Sequence, residues 1–146
     1  MTARIALVGC VKSKQPVAAP AGQLYTSPLF RGLRAYALAN ADAWYILSAE
    51  HGLLPPDRVV APYERTLNTM RRADRVAWAN YVMSQLFEVF PPSAHVVMLA
   101  GQNYRRDLVP ALQSRGFTVS IPFDGLPLGQ QLSRLKLLAA RGYRDD

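Results

Sequence analysis

The chain has 146 residues, half of them hydrophobic, with seventeen Lys and Arg against ten Asp and Glu, for a net charge of +7. This length supports one domain, spanning 1–146, with a proper core. No apolar run approaches the ~18 residues of a membrane span, and the opening MTARIALVGC lacks a secretory leader's layout. A single cysteine excludes an internal disulfide and fits a reducing compartment, so a cytoplasmic protein is expected. The positive charge is carried mostly by arginine and points to a polyanionic partner, because guanidinium groups take phosphate oxygens two at a time.

In chain order, Arg4–Gly9 (RIALVG) reads as a strand buried on both faces. A polar loop follows to Thr26. Ser27 caps a helix running to Asn40, with Pro28 at its first position, where a missing N–H costs nothing. Ala43–Ser48 is a second strand, and a proline-dotted loop extends from Ala49 to Pro62 or a little beyond. Arg71 to Phe90 is the longest helix, with Val76, Trp78, Ala79, Val82, Met83, Leu86 and Phe87 as its apolar stripe, stopped by Pro91 and Pro92. His95–Ala100 is the third strand, Asn103–Arg115 a helix closed by Gly116, Phe117–Ile121 the fourth strand and Leu128–Arg141 the last helix. Strict alternation predicts an α/β domain with a parallel sheet covered on both faces. Ligands of such sheets bind beyond the carboxyl ends of the strands, which places chemistry in the loops after the first three.

Those loops have unusual compositions. After the first strand come Cys10, Lys12, Ser13 and Lys14, a set suited to a phosphate or carboxylate, although the spacing is not that of a P-loop. Cys10 is either a thiol nucleophile activated by the lysines or a small strand-end residue. Tyr25 lies in a loop, open to stacking or to core packing. Ser48, Glu50, His51 and Gly52 stand within five residues, with Glu64 downstream; carboxylate and imidazole are the usual acid–base pair near neutral pH. Gln102, Asn103 and Tyr104 follow the third strand, ahead of Arg105 and Arg106: amides can read base edges, a tyrosine can stack on a base, and arginines can hold phosphates. With two histidines in the chain, no metal is expected, and nothing demands an organic cofactor.

Four motifs together, Cys10-x-Lys12-x-Lys14, Leu24-Tyr25-x-Ser27-x-Leu29-Phe30, Ser48-Ala49-Glu50-His51-Gly52-Leu53-Leu54 and Pro62-Tyr63-Glu64-x-Thr66-Leu67, resemble a bacterial family known as domain of unknown function 6884. The Ser48–Leu67 stretch is also similar to a run of the peroxide-stress YaaA family, which is associated with DNA binding, and the layout resembles the uracil-DNA-glycosylase-like domain of archaeosine synthase. The resemblance implies a three-layer α/β/α sandwich with a four-stranded parallel sheet and a link to nucleic acid. The G-Q-D-P-Y and H-P-S-P motifs of uracil-DNA glycosylases are absent; Cys10–Lys14 stands after the first strand instead.

The expected function is a nucleic-acid-directed enzyme acting at the N-glycosidic bond of a modified base. Glu50 is the first choice for the carboxylate that stabilises the sugar cation or activates water, and Glu64 the second. His51 would stabilise or protonate the departing base. Lys12, Ser13, Lys14, Ser48, Arg105 and Arg106 would bind phosphate; Tyr25 or Tyr104 would stack on a flipped base, and Gln102 and Asn103 would read it. The rivals are a non-catalytic DNA- or RNA-binding module and a small-molecule nucleotide or nucleobase hydrolase. Whether Arg71, Arg72, Arg75, Arg105 and Arg106 share a face with the site separates them.

Overall fold

The computed structural model describes residues 2–9 and 14–140. Its strands are β1 (Arg4–Gly9), β2 (Ala19–Pro20), β3 (Ala43–Ser48), β4 (Gly52–Leu54), β5 (Val59–Val60), β6 (His95–Leu99) and β7 (Thr118–Ser120). The helices are α1 (Ala21–Leu24), α2 (Pro28–Asn40), α3 (Arg72–Val89), α4 (Gln102–Arg105), α5 (Leu108–Ser114) and α6 (Leu128–Ala140), with a 3₁₀ turn at Leu67–Thr69. No helix among the described residues is long and apolar enough to cross a membrane.

The main sheet has five strands in the order β4-β3-β1-β6-β7. β1 pairs in parallel with β3 and β6, and β6 with β7. β4 turns back antiparallel on β3, pairing Ile46 with Leu54 and Ser48 with Gly52. The expectation of four parallel strands is therefore corrected to a mixed sheet of five. The added strand lies inside the stretch read as a proline-dotted loop. β2 and β5 form a separate antiparallel pair.

Period-two alternation sends successive strand residues to opposite faces. Ile5, Leu7, Leu47, Val96 and Met98 join one core cluster, covered by Trp78, Val82 and Leu86 of α3 and by Leu108 and Leu112 of α5. Ala6, Val8, Ile46, Val97 and Leu99 join the other, under Phe30, Leu33 and Ala37 of α2 and Leu135 and Leu138 of α6. Fully burying one such side chain contributes roughly 1.5–3 kcal/mol, so these two clusters dominate the stabilising side. The α3 stripe is narrower than expected: Val76 and Phe87 are exposed, the latter flanked by Phe117 and the Arg115 guanidinium.

Strand order reverses at β1, which has β3 on one side and β6 on the other. At their carboxyl ends β1 and β6 run very close. A Cβ added at Gly9 would stand 2.9 Å from the Ala100 Cβ, so only glycine fits there. Gly9 and the residues from Ala100 to Arg105 line a crevice at this end of the sheet, as expected where strand order reverses.

Candidate functional site

The crevice is a cleft of about 820 Å³. Its apolar wall comes from Leu29, Leu33, Met98, Leu99, Ile121 and Phe123. The polar groups come from four separate places: Lys14 after β1, Glu64, Arg65, Thr66, Asn68 and Thr69 from the segment before α3, Gln102, Asn103 and Arg105 from α4, and Gln131 from α6. Polar groups converging beside an apolar wall in a hollow of this size is a form that suits a small ligand.

Lys14 is placed by aromatic rings. Its backbone bridges to Tyr25, and its ammonium lies 4.7 Å from the Tyr63 ring centre and 5.7 Å from that of Tyr25. The two tyrosine hydroxyls are hydrogen-bonded to each other. Ser48, completely buried at the end of β3, donates to the Tyr63 hydroxyl at 2.8 Å and accepts from the His51 N–H at 3.0 Å. Its carbonyl accepts from the Trp78 indole N–H at 2.8 Å. This chain of bonds ties the segment carrying Glu64 and Arg65 to the sheet. Tyr25, 1% exposed and against Phe30, is a core residue that supports Lys14. Ser48 likewise serves the hydroxyl chain and the turn, and does not line the cleft.

Glu50 and His51 lie elsewhere. Ser48–Gly52 is the tip of the β3–β4 hairpin, and Gly52 takes the φ of +72° that this turn requires. The Gln85 side chain clamps the tip, accepting from the Leu53 N–H at 2.7 Å and donating to the His51 carbonyl at 3.2 Å. Glu50 is exposed, and neither it nor His51 lines the cleft. The His51 ring meets the Tyr63 ring edge-on at 5.5 Å. Burial holds its pKa below the ordinary 6.5, the Arg58 charge adds to this, and the Glu50 carboxylate opposes it. The imidazole is therefore neutral at pH 7. Glu64 is the carboxylate that faces the cleft.

The residues after β6 divide. Gln102, Asn103, Tyr104 and Arg105 all line the cleft. Tyr104 is 5% exposed and packs edge-on against Trp78, so its ring is part of the wall. Asn103 donates from its side-chain amide to the Asn68 side-chain oxygen at 2.8 Å. Arg105 is ion-paired with Asp124 at 2.7 Å, leaving Lys14 and Arg65 as the lining cations without a carboxylate among the described residues. Arg106 borders a shallower hollow of about 250 Å³ beside Val109 and Pro110. Arg71, Arg72 and Arg75 do not line the cleft. Cys10, Lys12 and Ser13 lie outside the described residues.

Sequence reasoning passes over Arg65 and Asn68. Their signal is the Pro62-Tyr63-Glu64-x-Thr66-Leu67 motif, in which the fully buried Leu67 anchors the 3₁₀ turn and Thr66 caps it by accepting from the Asn68 N–H. Among the described residues no group of three or more potential metal ligands converges.

Comparison with known proteins agrees with this sequence signal. The model of a family of unknown function, DUF6884, matches residues 5–137. The chain is 36% identical over 110 residues to the uncharacterized protein YfjM of Bacillus subtilis strain 168, covering 70% of this chain and 72% of that one. No solved structure matches. The chain belongs to the DUF6884 family.

Proposed function

We propose that the cleft binds one nucleotide unit, free or within a nucleic acid, and that the protein acts there on its N-glycosidic bond. The observation that carries this reading is the presence of one carboxylate, Glu64, in the same cleft as the cations Lys14 and Arg65 and the amides of Asn68, Gln102 and Asn103. Cations suit the phosphate, amides suit the base, and a carboxylate suits the sugar between them. The volume of about 820 Å³ falls within the roughly 300–1,000 Å³ of small-ligand sites.

In this reading Glu64 takes a proton from water as its oxygen bonds to C1′ of the sugar, and its charge stabilises the oxocarbenium character that builds up there. The C1′–N bond breaks, and its electron pair leaves with the base. N–H donors of Gln102 and Asn103 stabilise the departing base until it takes up a proton from solvent. Glu50, the first choice on sequence grounds, gives place to Glu64 because it stands on the hairpin tip. His51 contacts the ring of Tyr63, the neighbour of Glu64 in sequence, and acts indirectly through the loop.

The reading includes kinship with YaaA-like and uracil-DNA-glycosylase-like α/β/α domains, supported by helices on both sheet faces and by a cleft at the strand-order reversal. It places the protein in the cytoplasm, on the ground of its single cysteine. Incubation with DNA, tRNA and free nucleotides carrying natural modified bases, followed by mass spectrometry of the small-molecule fraction, tests it. Freed base is expected. Retention of intact nucleic acid without freed base, in a salt-dependent manner, would replace catalysis with binding.

A further inference from the structure

We infer that Asn68 and Asn103 together read the edge of the nucleobase; the assignment rests on the nucleotide reading of the cleft. The two residues come from different elements, the 3₁₀ turn before α3 and the first turn of α4, and both line the cleft. The Asn103 amide donates to the Asn68 oxygen at 2.8 Å, and neither side chain makes another hydrogen bond among the described residues. A primary amide has two N–H donors and a two-lone-pair oxygen. One bond between the two therefore leaves the Asn103 oxygen as an acceptor, and the second Asn103 N–H together with both Asn68 N–H groups as donors. Their mutual bond couples the two amides, so an acceptor and donors are offered from one linked pair. That is the complement of a base edge carrying a donor beside an acceptor.

The surroundings favour this use. Each asparagine is a chain neighbour of a buried residue, Asn103 of Tyr104 and Asn68 of the fully buried Leu67, so both backbones are anchored. Thr66 holds the turn from both ends, accepting from the Asn68 N–H at 3.2 Å and, through its carbonyl, from the Thr69 hydroxyl at 3.3 Å. Two residues before Asn103, a Cβ added at Gly101 would meet nothing within 4 Å, which leaves open space in the cleft for a flat ring to approach. Two of the lining cations are already engaged, Lys14 on tyrosine rings and Arg105 on Asp124, and the cations are assigned to phosphate. Phosphate contacts of that kind position a ligand without distinguishing bases, whereas amide contacts to base edges distinguish them.

The substitution Asn68→Asp separates reading from support. The carboxylate it introduces still accepts the Asn103 amide bond, so the turn stays tied to α4, but both Asn68 donors are lost. Binding of the four nucleoside 5′-monophosphates and of the matching single-stranded trinucleotides is measured for the wild type, Asn68→Asp, Asn103→Ala and Lys14→Met. The wild type is expected to prefer one base by about tenfold or more, the discrimination of one good bidentate contact. Asn68→Asp and Asn103→Ala are expected to bring all bases within about twofold of one another or to change the preferred base, and Lys14→Met to weaken all bases alike. An unchanged preference in both asparagine variants would overturn this assignment and leave the nucleotide reading standing. Failure of the wild type to bind any member of the panel would overturn both.

Discussion

The Lys14 ammonium stands 4.7 Å from the centre of the Tyr63 ring, and the hydroxyl of that tyrosine accepts from the buried Ser48. One side chain thus carries a cation on its face and a structural bond at its tip. The two roles separate by mutation. Tyr63→Phe keeps the ring beneath Lys14 but leaves the Ser48 hydroxyl without its acceptor, at an expected cost of about 1–3 kcal/mol in denaturant unfolding. Anion binding should survive in the folded variant. Lys14→Met should leave stability nearly unchanged and weaken phosphate-bearing ligands by about ten- to a hundredfold, the equivalent of roughly 1.5–3 kcal/mol for a charge-assisted bond.

Glycine is required at the hairpin tip and not at Gly101 in the cleft. Gly52 has φ +72°, and a Cβ there would come within 2.2 Å of the Gln85 side-chain oxygen and 2.9 Å of the Tyr81 ring. Gly52→Ala should cost about 2–4 kcal/mol or prevent folding, combining backbone strain with loss of the Gln85 clamp. Gly101→Ala meets open space with an ordinary φ of −67° and should change the unfolding midpoint little. Urea titration of both variants checks the contrast.

Arg105 is neutralised by Asp124, whose side chain is 62% exposed. An ion pair this open contributes about 0–1 kcal/mol, so Asp124→Asn should hardly alter stability. It should release the guanidinium for phosphate. The expected result is tighter nucleic-acid binding, with the log–log salt slope steeper by about one unit; an unchanged slope would show that Arg105 does not reach phosphate.

Acid sensitivity should follow the histidines. Burial keeps both His51 and His95 below the ordinary 6.5, helped by Arg58 and Arg4 respectively. Below about pH 6.5 the unfolded chain binds these protons first, so stability is full above that value and falls as the pH drops through the lower folded values. Thermal melts from pH 7.5 to 5 should show this decline, and His51→Gln should make it shallower. His95 is the worse choice for substitution, because its ring also bonds Thr118 and Ser120.

Much of the frame is legible in the sequence because it is local. Ser27 does cap α2, accepting from the Phe30 N–H at 3.0 Å, and Pro28 opens it. β1 and β3 occupy the expected residues because continuous apolar runs ending at Gly9 and Ser48 have few other folds open to them. What escapes is non-local. Gly52–Leu54 is three residues long and becomes a strand through pairing with β3 and the Gln85 clamp thirty-odd residues away, neither of which leaves a periodic signal. For the same reason the structural part of the Ser48–Gly52 cluster is not legible in the string: Ser48 and Gly52 serve the hairpin, and Glu50 and His51 stand at its tip outside the cleft. The expected helix from Asn103 divides into α4 and α5 around Arg106 and Asp107. The bond between Asn68 and Asn103 is likewise non-local: the Pro62–Leu67 motif marks the segment before Asn68, but not its partner thirty-five residues on.

The decisive measurement compares Glu64→Gln with Glu50→Gln in the base-release assay, each variant first shown to unfold at the wild-type denaturant midpoint. Both carboxylates are exposed, but Glu64 lines the cleft and Glu50 stands on the hairpin tip outside it. Loss of release by about 10²–10⁴-fold in Glu64→Gln, with near-wild-type release in Glu50→Gln, is predicted. Full activity in Glu64→Gln together with loss in Glu50→Gln would contradict it and return the chemistry to the Ser48–Gly52 loop.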